Sequence, residues 1–464
     1  MLTETSEQWA KEQFGHAELG DPRRTRRLVL LASSIAQSPG NAVSNLSLSP
    51  AEMEGAYRFI RNDQIEPEAI AEAGYQATAK RAKEHSTLLA LEDTTTLSYR
   101  HASVKEELGH ISDKETSRGL LAHSILLFAP EEQSVVGLIE QQRWSRDIKT
   151  KGKKHQRAKR AYKEKESYKW ETASEHMKQR LGDIMSRTIS VCDREADVYE
   201  YLHYKVSEGQ RFVVRSMHNR HLEEKEKPLY ELSSDLVDRG QRTVSIAQRG
   251  GKHARAAREV TLEVRSASVV LKSPNKKSGQ SLPMYYIQCT ESGHQEGALC
   301  WHLLTSEPVE SQQEAFKVLE YYERRWLIED YHKAWKTGGT EVEKLRMQSS
   351  DNLERLAVIL AFLATRILQL RFIKTSKISS ESSCDTIVSG RSWKLLWLKL
   401  EKKPLPEKAP NSDWLYRSLA TLAGWKDSKR TGRASCQTLW QGWFKLQMIL
   451  EGYELARALE ESLD

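Results

Sequence analysis

Two apolar stretches of the sequence each end in an aspartate. Asp93 follows the apolar residues of "LLALED", and Asp193 follows those of "ISVCD". A carboxylate at the end of a buried strand is held in place by the sheet, while its oxygens stay open to a ligand. A single aspartate of this kind is commonly a helix cap or a turn residue. Two in one chain make a functional site as good an interpretation as a structural one.

A third carboxylate, Glu329, lies in the charged segment "YYERRWLIEDYHKAWKTG" at residues 321–338. At 100° per residue one face of this helix collects polar residues, and they are Tyr322, Arg325, Glu329, Lys333 and Lys336, with His332 at the edge. The opposite face collects Leu327, Tyr331, Ala334 and Trp335. An exposed i,i+4 ion pair contributes only about 0.3–0.5 kcal/mol, which does not explain so dense a cluster. A solvated charged face is the simpler alternative, but the density favours an anionic ligand or a metal.

Two aspartates and a glutamate offer hard oxygen ligands, which suit Mg²⁺ or Mn²⁺. Two such ions in one site can activate a nucleophile and stabilise the leaving oxygen of a phosphodiester. The five cysteines are scattered and form no zinc-binding pattern with histidine. The sequence also lacks a GxSxG elbow, a phosphate-binding GxxxxGK[ST] loop, an HExxH helix and a glycine-rich dinucleotide turn.

Composition indicates a soluble globular protein of two to four domains, with 464 residues, 39% hydrophobic and 29% charged. A net charge of +7 is compatible with a polyanionic partner. The polar start and the odd, scattered cysteines predict a cytoplasmic protein with no secretory signal. The apolar run 356–364 is about half the ~20 residues that a membrane span needs, so we expect a buried helix and no membrane partner.

Helices are expected first, with a break at Gly20-Asp21-Pro22 and an arginine cluster after it that includes Arg23, Arg24 and Arg27. That cluster is either a solvated helix face or a surface that contacts the DNA backbone. From residue 86 onward strands alternate with helices, which predicts an α/β core with mixed pairing. Five alternating segments at about residues 225–305 predict an inserted antiparallel β unit, and one long helix follows as far as Gly338-Gly339.

The tail helix repeats apolar residues at Leu439, Trp443, Leu446 and Leu450, which form one stripe. Such a stripe packs either on its own domain or on a second copy of the chain. Linker-like segments precede this helix. A lysine-rich run at 149–165 is expected to be a mobile loop unless a polyanion neutralises it.

Many motifs, in order, resemble the bacterial DDE transposases of the IS-four group. The spacing from Tyr322 through Arg325 and Glu329 to Lys336 resembles their "YREK" signature, and "DREAD" at residues 193–197 resembles the segment that carries their second aspartate. Further matching stretches cover nearly the whole chain, and they are "GDPRRTRRL", "EGAYRFIRN", "EDTTTLSYRH", "SRGLLAHSILL", "RFVVRS", "EPVES", "YHKAWKTG", "DNLERL" and "DSKRTG".

The resemblance implies a ribonuclease-H-like α/β core at residues 67–372, interrupted by the β insert. It also implies a helical end-recognition domain at 1–66 and a helical dimerisation region at 373–464. Asp93, Asp193 and Glu329 match the catalytic carboxylates that bind two Mg²⁺ ions, with Mn²⁺ as a substitute. Positions that match DNA contacts are Tyr322, Arg325, Lys336, His332, Lys333, Arg215, Arg23, Arg24, Arg27, Arg58 and Arg61, together with Trp301, which would stack on a flipped base.

The implied partners are double-stranded DNA, both transposon ends and target, and a second copy in a synaptic complex on the nucleoid. The implied reaction is cut-and-paste transposition: the end is nicked, excised through a hairpin and joined to the target. Three alternatives stay open. Trp301 could be a core residue of the insert, the protein could be a catalytically silent end-binding regulator, or it could be a stand-alone ribonuclease-H-like nuclease.

Overall fold

The N-terminal helices form where capping residues and proline allow them to start. The computed structural model describes residues 5–38, 40, 42–46, 48–112, 117–148, 160–223, 225–232, 235–246, 258–274, 280–293, 298–372, 383–428 and 434–463. Helix α2 begins at Pro22 after the Asp21 N-cap, and Gly20 supplies the left-handed backbone that ends the preceding turn. The first four helices are α1 (Ser6–Phe14), α2 (Pro22–Gln37), α3 (Pro50–Ile60) and α4 (Pro67–Ala82). The predicted helical start of the chain is confirmed.

Nine strands form one continuous mixed sheet in the order β3-β2-β1-β4-β5-β9-β8-β7-β6. Strand β1 runs antiparallel to β2 and parallel to β4, and β4 runs parallel to β5. The strands are β1 (Leu88–Ser98), β2 (Gly119–Ala129), β3 (Ser134–Trp144), β4 (Thr188–Cys192), β5 (Arg211–Arg215), β6 (Val237–Ile246), β7 (Arg258–Leu271), β8 (Leu282–Glu291) and β9 (Cys300–Thr305). The expected α/β core with mixed pairing is therefore observed.

The region predicted as an inserted β unit forms four antiparallel strands that extend the same sheet, because β9 pairs with β5. The sequence indicated five strands, but two of the predicted segments are the single strand β7. Along β7 the buried residues lie first on one face, at Val260, Leu262 and Val264, and then on the other, at Val269 and Leu271. The change of buried face resembles a break in the sequence pattern, although the strand is continuous.

The remaining helices include those that pack on the sheet and the C-terminal helices that pack on one another. They are α5 (Ala102–Lys105), α6 (Lys169–Leu181), α7 (Tyr199–Ser207), α8 (Gln312–Arg324), α9 (Trp326–Lys336), α10 (Ser350–Arg371), α11 (Gly390–Leu400), α12 (Ser412–Leu422) and α13 (Cys436–Leu463). The single long helix predicted for residues 310–339 is wrong in one respect. It is divided at Arg325, where i→i−3 backbone bonds replace the regular helical pattern.

One buried apolar cluster runs through the N-terminal helices, one face of the sheet, α8 to α10 and the C-terminal helices, from Trp9 to Leu446. Helix α10, which contains the apolar run 356–364, is central to it and contacts α4, α9, α13 and β3. On the opposite face α6 and α7 pack over two smaller clusters. No helix among the described residues is long and apolar enough to cross a membrane. The lysine-rich run lies outside the described residues as far as 159.

The tail helix α13 packs its first half on its own protein. Leu439, Trp443 and Leu446 are buried, and Leu450 packs against the same cluster. The apolar stripe predicted from the sequence therefore packs on its own chain. Beyond it the helix is exposed, including apolar residues at Leu455, Leu459 and Leu463.

Candidate active site

Four neighbouring strands, β1, β4, β5 and β9, place polar or aromatic side chains on one face of the sheet, near the carboxyl-terminal ends of β4 and β5. This end of the strands is called the edge below. Leu91 pairs with Val191, and both lie two residues before the aspartates Asp93 and Asp193. Val191 pairs with Val213, two residues before Arg215. Arg215 in turn pairs with Leu303, two residues after Trp301. Because residues two apart share a face, Asp93, Asp193, Arg215 and Trp301 lie side by side.

The two aspartates interact electrostatically. Burial, together with the negative charges of Asp193 and Glu329, raises the pKa of the Asp93 carboxyl to about 7. A hydrogen bond of 2.8 Å from the backbone N–H of Thr94 and the positive charge of Arg325 act in the opposite direction. The site thus concentrates negative charge in a partly buried place that favours a cation or a proton.

This raised pKa makes the stability of the metal-free protein depend on pH. Between the ordinary value of 3.8 and about 7 the folded chain holds a proton that the unfolded chain has released. The stability contributed by that proton is therefore lost as the pH rises through about 7. We expect Asp93→Asn to raise the melting temperature in EDTA by a few degrees at pH 8 and by much less at pH 4. Thermal denaturation measures this, with Asp183→Asn as the control because Asp183 is exposed. An equal gain in melting temperature for Asp93→Asn at both pH values would contradict the raised pKa of Asp93.

Glu329 is held by Arg325 rather than pointing freely at the aspartates. The Arg325 Nη2 atom donates to Glu329 Oε1 at 2.8 Å across one turn of helix. The Arg325 side chain is only 8% exposed, whereas Glu329 is 42% exposed. Arg325 also lies close enough to Asp93 to oppose its raised pKa. The sequence-based expectation that Arg325 and Glu329 share a face is therefore observed, with the two side chains in direct contact.

Tyr322 and Trp301 meet at the base of this edge. Their ring centroids are 5.3 Å apart in an edge-to-face arrangement, and both side chains are buried. Trp301 belongs to the main apolar cluster. Next to it, Arg215 donates from Nη2 to the carbonyl oxygen of Cys300 at 3.2 Å. The aromatic pair and Arg215 thus form the part of the edge farthest along the sheet from Asp93.

The last turn of α9 separates three residues that the sequence grouped together. Lys333 is exposed, and Lys336 Nζ lies 3.6 Å from Glu343 Oε1, an oxygen that also accepts the backbone N–H of Ser98. His332 is buried, with Nδ1 3.8 Å from Asp93 Oδ2. Burial lowers the pKa of His332 to about 3, with the charge of Lys336 acting in the same direction, so the ring is neutral. This interior place differs from the exposed position that a DNA contact at His332 requires.

The N-terminal arginines lie on α2 and on α3 or its C-cap, which are different elements from those that carry the carboxylates. Arg23 is exposed at the start of α2, and Arg24 donates to the Leu19 carbonyl at 3.0 Å. The Arg27 guanidinium lies against Gly55 of α3, where a Cβ atom would clash with it. Arg58 is exposed and pairs with Glu54 at 2.9 Å, and exposed Arg61 stacks on Tyr57. These cations belong to a helical surface distinct from the carboxylates.

Sequence reasoning missed two anchors of the site. Asp197, the last residue of "DREAD", is a buried carboxylate paired with Arg220. Glu343 binds both Lys336 and the end of β1. For Asp197 the sequence offered a signal: a second acidic residue four positions after Asp193 indicates a turn that the second carboxylate stabilises. For Glu343 no local pattern in the sequence singles it out.

The chemistry of these donors fits a divalent cation. Asp93 and Asp193 repel each other in a partly buried place, and carboxylate oxygens are the ligands that Mg²⁺ and Mn²⁺ prefer. Among the described residues, however, no three His, Cys, Asp or Glu side chains are already grouped as a ligand set. Glu329 would complete the set with Asp93 and Asp193, and its carboxylate is paired with Arg325.

Removing Arg325 should therefore strengthen metal binding by the DNA-free protein. We expect Arg325→Ala to lower the dissociation constant for Mn²⁺ roughly three- to tenfold, because the change frees Glu329 from a pair worth about 1 kcal/mol or less and removes a cation from the site. Titration calorimetry measures this. Arg324→Ala is the control, since Arg324 has the same charge and pairs with Glu320 instead. Weaker or unaltered Mn²⁺ binding by Arg325→Ala would refute the ion pair as a restraint on Glu329.

Comparison with known proteins decides the family. A family model for transposase DNA-binding matches residues 6–65, and one for the transposase DDE domain matches residues 60–366, more than half of the chain. The chain belongs to the DDE transposase family. DDE transposase domains are metal-dependent nucleases and transferases that use divalent ions, and here the matched range contains Asp93, Asp193 and Glu329.

One solved structure is similar to much of this chain. It is a chain of the piggyBac transposase synaptic complex with hairpin DNA, determined by cryo-EM, with 10% sequence identity and a TM-score of 0.37. The likeness covers 76% of this chain and spans 66% of the length of that one. The overlay is too loose to establish a shared fold.

Proposed function

We propose that this protein is a cut-and-paste DNA transposase of the IS-four group, similar to the transposase of transposon Tn-five. The observation that carries the proposal is the edge of the sheet where Asp93 and Asp193 interact and Arg325 holds Glu329 beside them. A family member with a transposase DNA-binding match before its DDE match has the two parts that such an activity needs.

The proposed core is ribonuclease-H-like. Three antiparallel strands followed by two parallel ones, in the order β3-β2-β1-β4-β5, support it, with the four further strands as an insertion before α8. In the proposed division, residues 1–66 recognise transposon ends, residues 67–372 carry the chemistry and residues 373–464 mediate pairing. The proposed location is the bacterial nucleoid.

Each site residue then has a proposed task. Asp93, Asp193 and Glu329 would hold two Mg²⁺ ions, for which Mn²⁺ could substitute, and bound ions would supply Lewis-acid activation of water and of the leaving oxygen of a phosphodiester. Arg325, Lys336, Lys333 and Arg215 bind phosphates near the cut as charge-assisted hydrogen-bond donors, and the Tyr322 hydroxyl contributes to the same surface. Trp301 stacks on a base drawn out of the duplex, which becomes possible if the Tyr322 contact opens.

The proposed reaction is a series of phosphoryl transfers at one site. One strand is nicked at the transposon end, and the free 3′-hydroxyl attacks the opposite strand to form a hairpin. Water reopens the hairpin, and the 3′-hydroxyl then attacks target DNA. Buried His332, neutral and beside Asp93, packs against the carboxylates rather than contacting DNA in this arrangement.

A homodimer is proposed for the synaptic complex. The exposed half of α13 carries Met448, Leu455, Leu459 and Leu463, which are spaced at seven, four and four residues and form a stripe. Apolar stripes of this kind on a projecting helix are typical surfaces for a partner helix. A second copy would bury them.

End recognition is assigned to the arginine surface of α2 and α3, which carries Arg23, Arg24, Arg27, Arg58 and Arg61. Such cations bind phosphates and release counterions, so affinity for DNA falls with salt. Replacing Arg23 and Arg58 by alanine should weaken end binding and reduce the slope of affinity against salt by about one per lost contact. An unchanged slope would count against phosphate contact at these residues.

The test of the function is incubation of the purified protein with duplexes of the inverted repeats that flank its coding region and with Mg²⁺. Nicks at the repeat end, hairpins and joined products are expected on denaturing gels. Binding without nicks or hairpins would overturn the enzyme assignment in favour of the silent regulator. Cleavage that ignores the end sequence and yields no joined product would favour the stand-alone nuclease.

A further inference from the structure

A buried carboxylate, Asp197, lies four residues after Asp193 of the candidate active site. Asp197 follows the short 3-10 turn Arg194–Ala196 that begins directly after Asp193. Its side chain is 0% exposed. An ionised carboxylate buried in this way is stable only when its oxygens accept several hydrogen bonds, so its partners reveal what it holds.

Every donor to Asp197 comes from one loop. Oδ2 accepts the backbone N–H groups of Met217 at 2.7 Å and His218 at 2.9 Å, and the Ser216 hydroxyl at 3.2 Å. Oδ1 accepts from Arg220 Nε at 2.9 Å and also from Arg220 Nη2. That same Nη2 reaches the Asp197 backbone carbonyl at 2.9 Å. One carboxylate thus gathers five donor groups from residues 216–220.

The loop leaves β5 directly after Arg215, and the turn before Asp197 leaves β4 directly after Cys192. Asp197 therefore ties together the chain segments that follow two neighbouring strands of the edge. Fixing the loop fixes the end of β5, because Ser216 is adjacent to Arg215. The positions of Asp193 and Arg215 relative to each other depend on this connection.

The network continues to the strand that carries Trp301. The Ser216 N–H donates to the carbonyl of His302 at 2.7 Å, one residue from Trp301. The Ser216 hydroxyl lies 3.0 Å from the Tyr230 hydroxyl, and the Tyr230 ring stacks on His302 at 3.9 Å. Tyr286 adds a hydrogen bond of 2.6 Å to His302 Nδ1. Connected buried polar groups of this kind hold one geometry rigidly when all are satisfied.

We propose that Asp197 is a positioning residue that holds Arg215 and Trp301 in register with Asp193. The proposal rests on the proposed function, since it gives Asp197 a part in the hairpin step, where Trp301 and Arg215 act. The simpler alternative is a buried ion pair that serves stability alone. The two differ because the Arg220 pair can be removed while the Ser216, Met217 and His218 contacts remain.

The experiment compares Asp197→Asn with Arg220→Met. An asparagine keeps the shape but turns an amide N–H₂ toward donors, so it disrupts the loop contacts. Arg220→Met removes the contacts of Arg220 with the Asp197 carboxylate and backbone carbonyl, and it keeps those of Ser216, Met217 and His218. Each full-length variant is bound to an end duplex with 2-aminopurine as the terminal base, whose fluorescence rises when the base unstacks. Nick and hairpin yields are measured with Mg²⁺ on the same duplex, and melting temperature reports the fold.

For Asp197→Asn we expect nicking within about threefold of the parent, with hairpin yield about tenfold lower and the 2-aminopurine signal lost. For Arg220→Met we expect a lower melting temperature with the nick-to-hairpin ratio retained. Losses of nicking and hairpin in equal proportion, tracking melting temperature in both variants, would overturn the positioning role. If Asp197→Asn fails to fold, Ser216→Ala removes the hydroxyl that contacts both Asp197 and Tyr230 and should shift the ratio in the same direction. An unshifted ratio in Ser216→Ala would then overturn the proposal.

The experiment distinguishes failure of the Asp197 proposal from failure of the proposed function. If the parent protein makes no nick or hairpin, the transposase assignment fails at that point. The fluorescence of the bound duplex still reports whether Asp197 controls the Trp301 edge. A parent signal that Asp197→Asn abolishes and Arg220→Met retains supports positioning even then, and a signal equal in all three proteins refutes it.

Discussion

Asp93→Asn, Asp193→Asn and Glu329→Gln should each lower Mg²⁺-dependent cleavage of end duplexes by about a thousandfold or more. Each change removes the charge of a proposed metal ligand at the place where the two aspartates already interact. Binding of the same duplexes should stay equal to the parent or tighten, because the arginines proposed to bind the ends lie on separate helices and because negative charge is removed from the site.

Cleavage is measured under single-turnover conditions on gels, and binding by fluorescence anisotropy. Glu195→Gln is the matched control, since Glu195 lies two residues past Asp193, is exposed and pairs with Lys169 at 3.2 Å. Its cleavage should be near that of the parent. Loss of end binding in all three site variants would contradict the separation between the carboxylates and the arginine surface.

Arg355→Ala should lower the free energy of unfolding by about 3–5 kcal/mol, because three buried oxygens lose their donor at about 1–3 kcal/mol each. Arg355 is 2% exposed and lies in α10. Its guanidinium donates to the carbonyl oxygens of Ile65 at 2.6 Å and Ile60 at 2.9 Å, and to Asn352 Oδ1 at 2.9 Å. The substitution leaves those carbonyls buried without these donors.

Urea unfolding followed by circular dichroism measures the loss. Lys344→Ala is the control, because Lys344 is 74% exposed in a pair with Glu341 and should change stability by less than about 1 kcal/mol. A loss for Arg355→Ala no larger than that of the control would show that the contact between α10 and the end of α3 contributes little.

Much of the site could be predicted from local patterns. Runs of apolar residues pointed to both aspartates without the fold: Asp193 directly follows β4, as expected. The prediction that Asp93 ends its strand is wrong, because β1 continues to Ser98 and Asp93 lies where the buried half of that strand gives way to the partly buried half. The helical repeat placed Arg325 with Glu329, and the structure shows that pair in contact. Both inferences need only the spacing of neighbours along one element.

Other features depend on partners distant in sequence. His332 has a polar type and a position at the edge of the charged face, but α9 packs against β1 and β2, and this packing buries the ring beside Asp93. Strand β7 looked like two strands because its buried face changes where it passes from one apolar cluster to another. The donors to Asp197 lie about twenty residues away, beyond any helical or strand periodicity.

The N-terminal helices share their apolar cluster with the sheet and α10, and Arg355 fastens the end of α3 to that core. A domain joined in this way is not tethered by a flexible linker. The distance between the arginine surface and the carboxylates is therefore fixed by the packing of the helices on the core. If the proposed function holds, we expect the cut to fall at a fixed number of base pairs from the recognised sequence, whatever the nucleotides in between.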